Sequence, residues 1–311
     1  MTAPILPPTD ESIRKAVRIL SDGGLVAMPT ETVYGLACDA ANPTAVARLY
    51  EVKGRPSFNP LIAHVASRDI AQREGNFSPA ANTLAAKGWP GPLTLVTPLS
   101  ETHTICDLAR AGLDSVAMRM PAHPVARQLL TAFGRPLVAP SANRSGKISP
   151  TRAEHVAADL GDKIDLILDG GPCEIGLEST ILSCLTDPPT LLRHGAFDAS
   201  AYTLAPQDES KPLAPGGLSR HYAPNATLRL NAATPVSGDA YLAFGPSDDL
   251  PAWARQYNLS ETGDLTEAAA NLFAMLRTLD RTHARIAVAP IPMQGLGLAI
   301  NDRLARAAKR D

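Results

Sequence analysis

The chain has 311 residues, is 45% hydrophobic and 19% charged, and carries a formal net charge of −2. That length allows two domains or one large one, and the apolar share is enough for a sizeable core. A near-neutral balance with no block of like charge argues against a protein that holds a long nucleic-acid duplex by bulk electrostatics, while leaving local basic patches open.

In chain order, Ile13, Ala16, Val17 and Leu20 share one face of a helix over residues 10–20, which Gly23-Gly24 stops. The apolar run 25–28 then reads as a buried strand. It breaks at Pro29 into a polar cluster, Thr30-Glu31-Thr32-Val33-Tyr34-Gly35. Small hydroxyls at the end of a buried strand suit a small polar ligand, because the backbone there is held rigidly. Helical patterns recur over 43–52, 79–87, 124–133 and 153–160, and strand-like runs over 61–65, 93–97, 115–119, 136–139, 164–168 and 180–184. Many strands follow one another with only short connections. The expectation is therefore an α/β fold, a twisted mixed sheet flanked by helices rather than a purely doubly wound one.

Composition shifts over 206–224, where four prolines and Gly216-Gly217 accompany no helical or strand period. That is a linker signature. Beyond it, strands at 240–244 and 286–289 and helices at 265–279 and 298–308 make a small α/β domain. The expected division is a catalytic domain over 1–205, a linker or lid over 206–224 and a C-terminal domain over 225–311.

Several common chemistries are excluded. Cys38, Cys106, Cys173 and Cys184 form no CxxC pair and read as buried free thiols in a reducing cytosol. No histidine pairs with another at metal-ligand spacing, so no metal held by protein side chains alone is expected. Ser141-Ala142-Asn143-Arg144-Ser145-Gly146-Lys147-Ile148 resembles a phosphate-binding loop but lacks its first glycine and its final hydroxyl. Gly295-Leu296-Gly297 lacks a third glycine, and no Gly-x-Ser-x-Gly elbow occurs. The N-terminus shows no basic-then-apolar leader and no apolar run approaches a membrane span, so a cytoplasmic protein with no membrane partner is expected.

What the chain does carry is a series of cations and hydroxyls at strand ends and loops. Lys53 and Arg55, around Gly54 and before Pro56 and Asn59, either contact phosphate oxygens or form a solvated helix end. Arg119 interrupts the apolar run Val116-Ala117-Met118-Arg119-Met120. It needs either a carboxylate from the protein or an anionic ligand. His64 follows Leu61-Ile62-Ala63 and is either a satisfied core histidine or a ligand-facing one. Ser179-Thr180 opens the run Ile181-Leu182 as a turn cap or a ligand contact, and Arg193 ends another apolar run. Several such placements together point to one convergent anion-binding pocket.

Pro29-Thr30-Glu31-Thr32-Val33-Tyr34-Gly35-Leu36, Lys53-Gly54-Arg55-Pro56, Asn59-Pro60-Leu61-Ile62-Ala63-His64, Pro140-Ser141-Ala142-Asn143, Glu178-Ser179-Thr180-Ile181, Leu192-Arg193-His194-Gly195 and His221-Tyr222-Ala223-Pro224 resemble the L-threonylcarbamoyladenylate synthase family. The likeness is to its longer form, a YrdC-type domain followed by a small Rossmann-like domain, and covers nearly the whole chain. It implies ATP-dependent synthesis of threonylcarbamoyl-AMP from L-threonine and bicarbonate or CO2, with release of pyrophosphate, for tRNA modification. By that resemblance Thr32, His64, Arg119, the Ala139 backbone and Ser179 surround threonine. Lys53, Arg55, Asn59, Ser115, Ser141, Asn143, Ser149, Arg193 and Tyr222 hold ATP, with Lys53 and Arg55 as the catalytic cations. Mg2+ comes with the ATP, transient contact with tRNA or the transfer machinery is expected, and Tyr222 lies over the pocket on a lid. Two rival readings stand beside it. One is an RNA-binding module, which the net charge disfavours. The other is a carbamoyl-transfer enzyme of hydrogenase maturation, which needs an acylphosphatase-like domain and cysteine-rich zinc motifs that the chain lacks.

Overall fold

A computed structural model describes residues 2–205 and 222–309. Most of the expected linker, 206–221, lies outside the described residues. The chain forms two compact units. One runs to Ser145, resumes over Pro150–Cys173 and again from Glu178; the other takes Gly146–Ser149, Glu174–Leu177 and the C-terminal part of the chain.

The first unit runs β1 (Ile5–Leu6), α1 (Asp10–Ser21), β2 (Val26–Met28), β3 (Gly35–Asp39), α2 (Pro43–Lys53), β4 (Ile62–His64), α3 (Arg68–Glu74), α4 (Pro79–Gly88) and β5 (Leu93–Pro98). It continues through α5 (Asp107–Arg110), β6 (Ser115–Arg119), α6 (Pro124–Phe133), β7 (Leu137–Val138), α7 (Ala153–Leu160), β8 (Leu166–Leu168), β9 (Thr180–Ser183) and β10 (Thr190–Arg193). The ten strands make one sheet in the order β1-β8-β2-β3-β7-β4-β6-β5-β9-β10. The β8–β2, β4–β6 and β5–β9 pairs are parallel, whereas β2–β3, β3–β7, β7–β4, β6–β5 and β9–β10 are antiparallel. This is the mixed, helix-flanked sheet expected from the short connections.

Local rules account for the elements. Thr9 and Ser12 cap α1 reciprocally, leaving its Ile13, Ala16 and Leu20 face to bury. Asn42 caps α2, with Pro43 in the first turn where its missing N–H costs nothing. Strand β2 is buried on both sides: Val26 and Met28 join the cluster with Val125, Leu129 and Leu130 of α6, while Leu25 and Ala27 join the opposite cluster with Leu49 of α2 and Leu84 of α4. Burial on both sides explains a run without polar alternation. Each large side chain so buried stabilises the fold by about 1.5–3 kcal/mol.

The second unit has β11 (Thr227–Arg229), β12 (Ala240–Ala243), α8 (Ala252–Arg255), β13 (Tyr257–Asn258), α9 (Leu265–Thr282), β14 (Arg285–Val288) and α10 (Leu296–Ala308). Its four strands are all parallel, in the order β11-β14-β12-β13. Among the described residues no helix is long and apolar enough to cross a membrane.

Candidate active site

Sheet order brings His64, Arg119 and Ser179, three of the expected threonine residues, into one row. Strands β7, β4, β6, β5 and β9 are consecutive neighbours. His64 ends β4 opposite Arg119, which ends β6 opposite Thr94 of β5. Ala139 follows β7 and its N–H donates to the Ile62 carbonyl at 3.1 Å, while Ser179 precedes β9. Residues 64, 119, 94 and 179 are far apart in sequence and adjacent only because the strands are, while Ala139 lies opposite Ile62, two residues back along β4 from His64.

Arg119 is 4% exposed, and its charge is answered from the turn after β2. Its Nη2 donates to Glu31 Oε1 at 2.5 Å, Nη1 to Thr32 Oγ1 at 2.7 Å, and Nε to the Gly91 carbonyl at 3.1 Å. Of the two partners left open for Arg119, the protein therefore supplies a carboxylate. A guanidinium carries five N–H groups, so two stay outside these bonds. Burial would push the Glu31 carboxyl up, but the Arg119 charge and hydrogen bond outweigh it and hold the group below its ordinary value. Thr30 Oγ1 lies 2.8 Å from Thr32 Oγ1 and donates to the Val33 carbonyl at 2.6 Å, so the turn is braced from within.

His64 is kept neutral. Burial first, and then the nearby Arg119 charge, lower its pKa from 6.5 to about 3. Its Nδ1 lies 3.2 Å from the Ile62 carbonyl, which can only accept, so Nδ1 carries the proton and Nε2 is left as an acceptor. Across the row, Ser179 Oγ lies 2.7 Å from Thr94 Oγ1. Arg193 donates from Nη2 to Ser179 Oγ at 3.1 Å and from Nε to the Ser179 carbonyl at 3.0 Å. The structure thus sets Arg193, expected on ATP, directly beside an expected threonine residue.

A second cluster forms where α2 ends. Gly54 caps the helix with φ 59°, a left-handed turn that L side chains rarely adopt, and so directs Arg55 back on the loop. Arg55 clasps that loop, donating to the Asn59 carbonyl at 3.3 Å and the Pro60 carbonyl at 3.0 Å. Ser115 is buried at the start of β6, where its registered partner is Pro98 of β5. Asn59 is buried in the loop, and its Nδ2 has no hydrogen-bond partner among the described residues.

Lys53 is buried, with Nζ donating at 2.5 Å to the carbonyls of both Ser141 and Asn143. Burial, and then the Arg55 charge, press its ammonium well below the ordinary lysine value. The structure therefore places Lys53 on the backbone of the Ser141–Asn143 loop. That loop is also tied to β3, since the Leu36 N–H donates to the Pro140 carbonyl at 2.7 Å and the Ala142 N–H to the Tyr34 carbonyl at 2.8 Å.

Two expected ATP residues lie in the second unit. Ser149 is fully buried there. Tyr222, expected over the pocket as part of a lid, is 1% exposed, with its ring stacked on Phe273 at 5.5 Å and the Arg303 guanidinium 5.4 Å from its centroid. An aromatic ring gains more from such partners than from water. Glu31, Thr30 and Thr94 were given no role by sequence reasoning. The available signal for Glu31 was Arg119 itself, whose burial demands an anion.

A family model described as "Telomere recombination" matches residues 18–195, and one described as "Threonylcarbamoyl-AMP synthase, C-terminal domain" matches residues 179–309. The threonylcarbamoyl-AMP synthase of Bacillus subtilis is 40% identical over 97% of this chain and 94% of its own length. That of Pyrococcus abyssi is 40% identical over 95% and 94%. The crystal structure of P. abyssi Sua5 complexed with L-threonine superposes with a TM-score of 0.88 at 38% identity, covering 96% of this chain and 95% of that one. The fold is thus that of a YrdC-type domain with a second α/β domain after it. Within that class, the chain belongs to the threonylcarbamoyl-AMP synthase family, in its long two-domain form.

Proposed function

We propose that this protein condenses L-threonine, bicarbonate or CO2 and ATP into threonylcarbamoyl-AMP and releases pyrophosphate. The observation that carries this reading is the buried strand-end row, in which Arg119 keeps two N–H groups beyond its bonds to Glu31, Thr32 and Gly91. They suit a carboxylate, which a guanidinium binds in a two-bonded geometry. Thr32, Ser179 and the His64 Nε2 acceptor supply partners for the substrate hydroxyl and amine. A neutral His64 adds no second positive charge beside an amine that must act as a nucleophile.

The amine loses a proton and adds to CO2, forming the C–N bond of a carbamate. A carbamate oxygen then attacks the α-phosphorus, the bond to the β-phosphate oxygen breaks, and pyrophosphate takes the electron pair. No covalent enzyme intermediate is needed, so positioning and charge neutralisation carry the rate. Arg55, Asn59 and Ser115 line the phosphate end in this reading, and Lys53 holds the Ser141–Asn143 backbone against it. Among the described residues no three His, Cys, Asp or Glu stand together, and Glu31 is committed to Arg119. In this reading Mg2+ arrives with the ATP phosphates, where it would neutralise part of their charge. The product is a labile mixed anhydride that serves tRNA threonylcarbamoylation, with transient contact to tRNA or the transfer machinery.

The test is pyrophosphate release from ATP. Release should require both threonine and bicarbonate and yield threonylcarbamoyl-AMP. Release indifferent to threonine, or tight RNA retention with no release, would sink the reading.

A further inference from the structure

The segment Ser141–Ser149 is divided between the two units: it leaves the first after Ser145, and Gly146–Ser149 belongs to the second. Its near half is held through backbone carbonyls by a buried cation, with Lys53 Nζ on Ser141 and Asn143. The Ser145 N–H returns the contact to the Lys53 carbonyl at 2.8 Å. Its far half is held in the same manner by a different cation. Arg277, in the C-terminal half of α9, donates from Nη2 to the Ile148 carbonyl and from Nε to the Ser149 carbonyl at 3.3 Å. Lys147 Nζ on Asn225 Oδ1 and the Ala223 N–H on the Gly146 carbonyl, both at 2.8 Å, complete the set within the second unit. Directly after Ser149, the Pro150 carbonyl accepts from the Tyr34 N–H at 2.9 Å.

We propose that Arg277 is a positioning residue for the nucleotide side of the site: by fixing the far half of this loop it sets the placement of Ser149 and, through the continuous backbone, of Asn143. A guanidinium suits the task because its planar fork reaches two successive carbonyls at once, which an ammonium does less well. The proposal rests on the reading that the loop binds ATP.

The test uses the full chain with Arg277→Met, Arg277→Lys and, one turn on, the exposed Arg281→Met as a control. Arg277→Met should raise the KM for ATP by about tenfold or more, the order expected for lost charged hydrogen bonds, with the KM for threonine unchanged. Arg277→Lys should recover part of the loss, and Arg281→Met should behave as wild type. Amide hydrogen exchange should quicken over 141–149 in Arg277→Met and stay at wild-type rates in β4, β5 and β6. An unchanged ATP KM, or an equal rise for both substrates, overturns the proposal. If the wild type itself shows no threonine-dependent pyrophosphate release, the functional reading fails. Exchange then decides the positioning role alone: unaltered exchange over 141–149 rejects it. Should Arg277→Met not fold, the ATP KM of Arg277→Lys decides, and a wild-type value rejects the proposal.

Discussion

Arg119 is the residue on which the threonine side turns. Arg119→Ala should raise the KM for threonine by about 10- to 100-fold, the scale of lost charged hydrogen bonds, with little change for ATP. Equal losses of both affinities in a folded variant would remove its assigned role. Glu31→Gln separates structure from binding. It leaves a buried guanidinium without its anion, a change that costs about 3–5 kcal/mol in comparable sites, and should appear as a marked fall in Tm. A wild-type Tm would show the pair to be dispensable. His64 gives a pH signature. Its folded pKa lies near 3 against an ordinary 6.5, so the unfolded chain binds the extra proton between those values. Stability should therefore be lost as pH falls from about 6.5 toward 3, and His64→Asn should flatten that part of the profile in urea titrations. An identical slope in the variant would count against a neutral buried imidazole. Sequence showed that Arg119 needed an anion but not which one, because Glu31 lies 88 positions away and only the β2 turn brings it near.

Elements were legible where their pattern was local. Helices α1, α2, α4, α6 and α7 and the apolar runs at β2, β5, β6 and β9 carry their own signal, whereas the short α3, though capped by Ser67, does not. Strand β3 does not: Gly35-Leu36-Ala37-Cys38-Asp39 follows the polar cluster directly and reads as its tail. It is a strand because β2 and β7 pair with it on either side, a tertiary fact. The short β1 and β10 escaped for the same reason, being completed only by β8 and β9. The helix-to-loop junction at Lys53-Gly54-Arg55 was legible as chemistry, though the commitment of Lys53 to carbonyls was not. Lys53→Ala and Arg55→Ala should each lower pyrophosphate release by about 100-fold or more if they act on the transition state; near-normal turnover in either would make that cation structural. At α9, Gly176 (φ +71°) approaches so closely that an added Cβ would sit 2.6 Å from the Ala269 carbonyl oxygen. Gly176→Ala should displace Glu174–Leu177 and weaken threonine use through the adjoining Glu178-Ser179. A variant with unchanged threonine KM and stability would show that the segment yields freely.

At the scale of the molecule, sequence composition placed one boundary near residue 206, because linkers advertise themselves by proline and glycine. It could not show that Gly146–Ser149 and Glu174–Leu177 assort with the C-terminal unit, since neither differs in composition from its neighbours. A chain ending at residue 205 should therefore exchange amide protons faster over 146–149 and 174–177 than over β4 and β6, and give a low yield of threonylcarbamoyl-AMP per pyrophosphate released. Wild-type protection in both segments would mean that the first unit holds them unaided. The backbone passes between the units four times before it reaches Glu178. A gene rearrangement with a single breakpoint cannot transplant the C-terminal module complete: it would leave behind two short stretches that the module packs around. Any chimera joining this module to a shorter homologue must carry matching sequence at both stretches, so inheritance of the two halves is coupled.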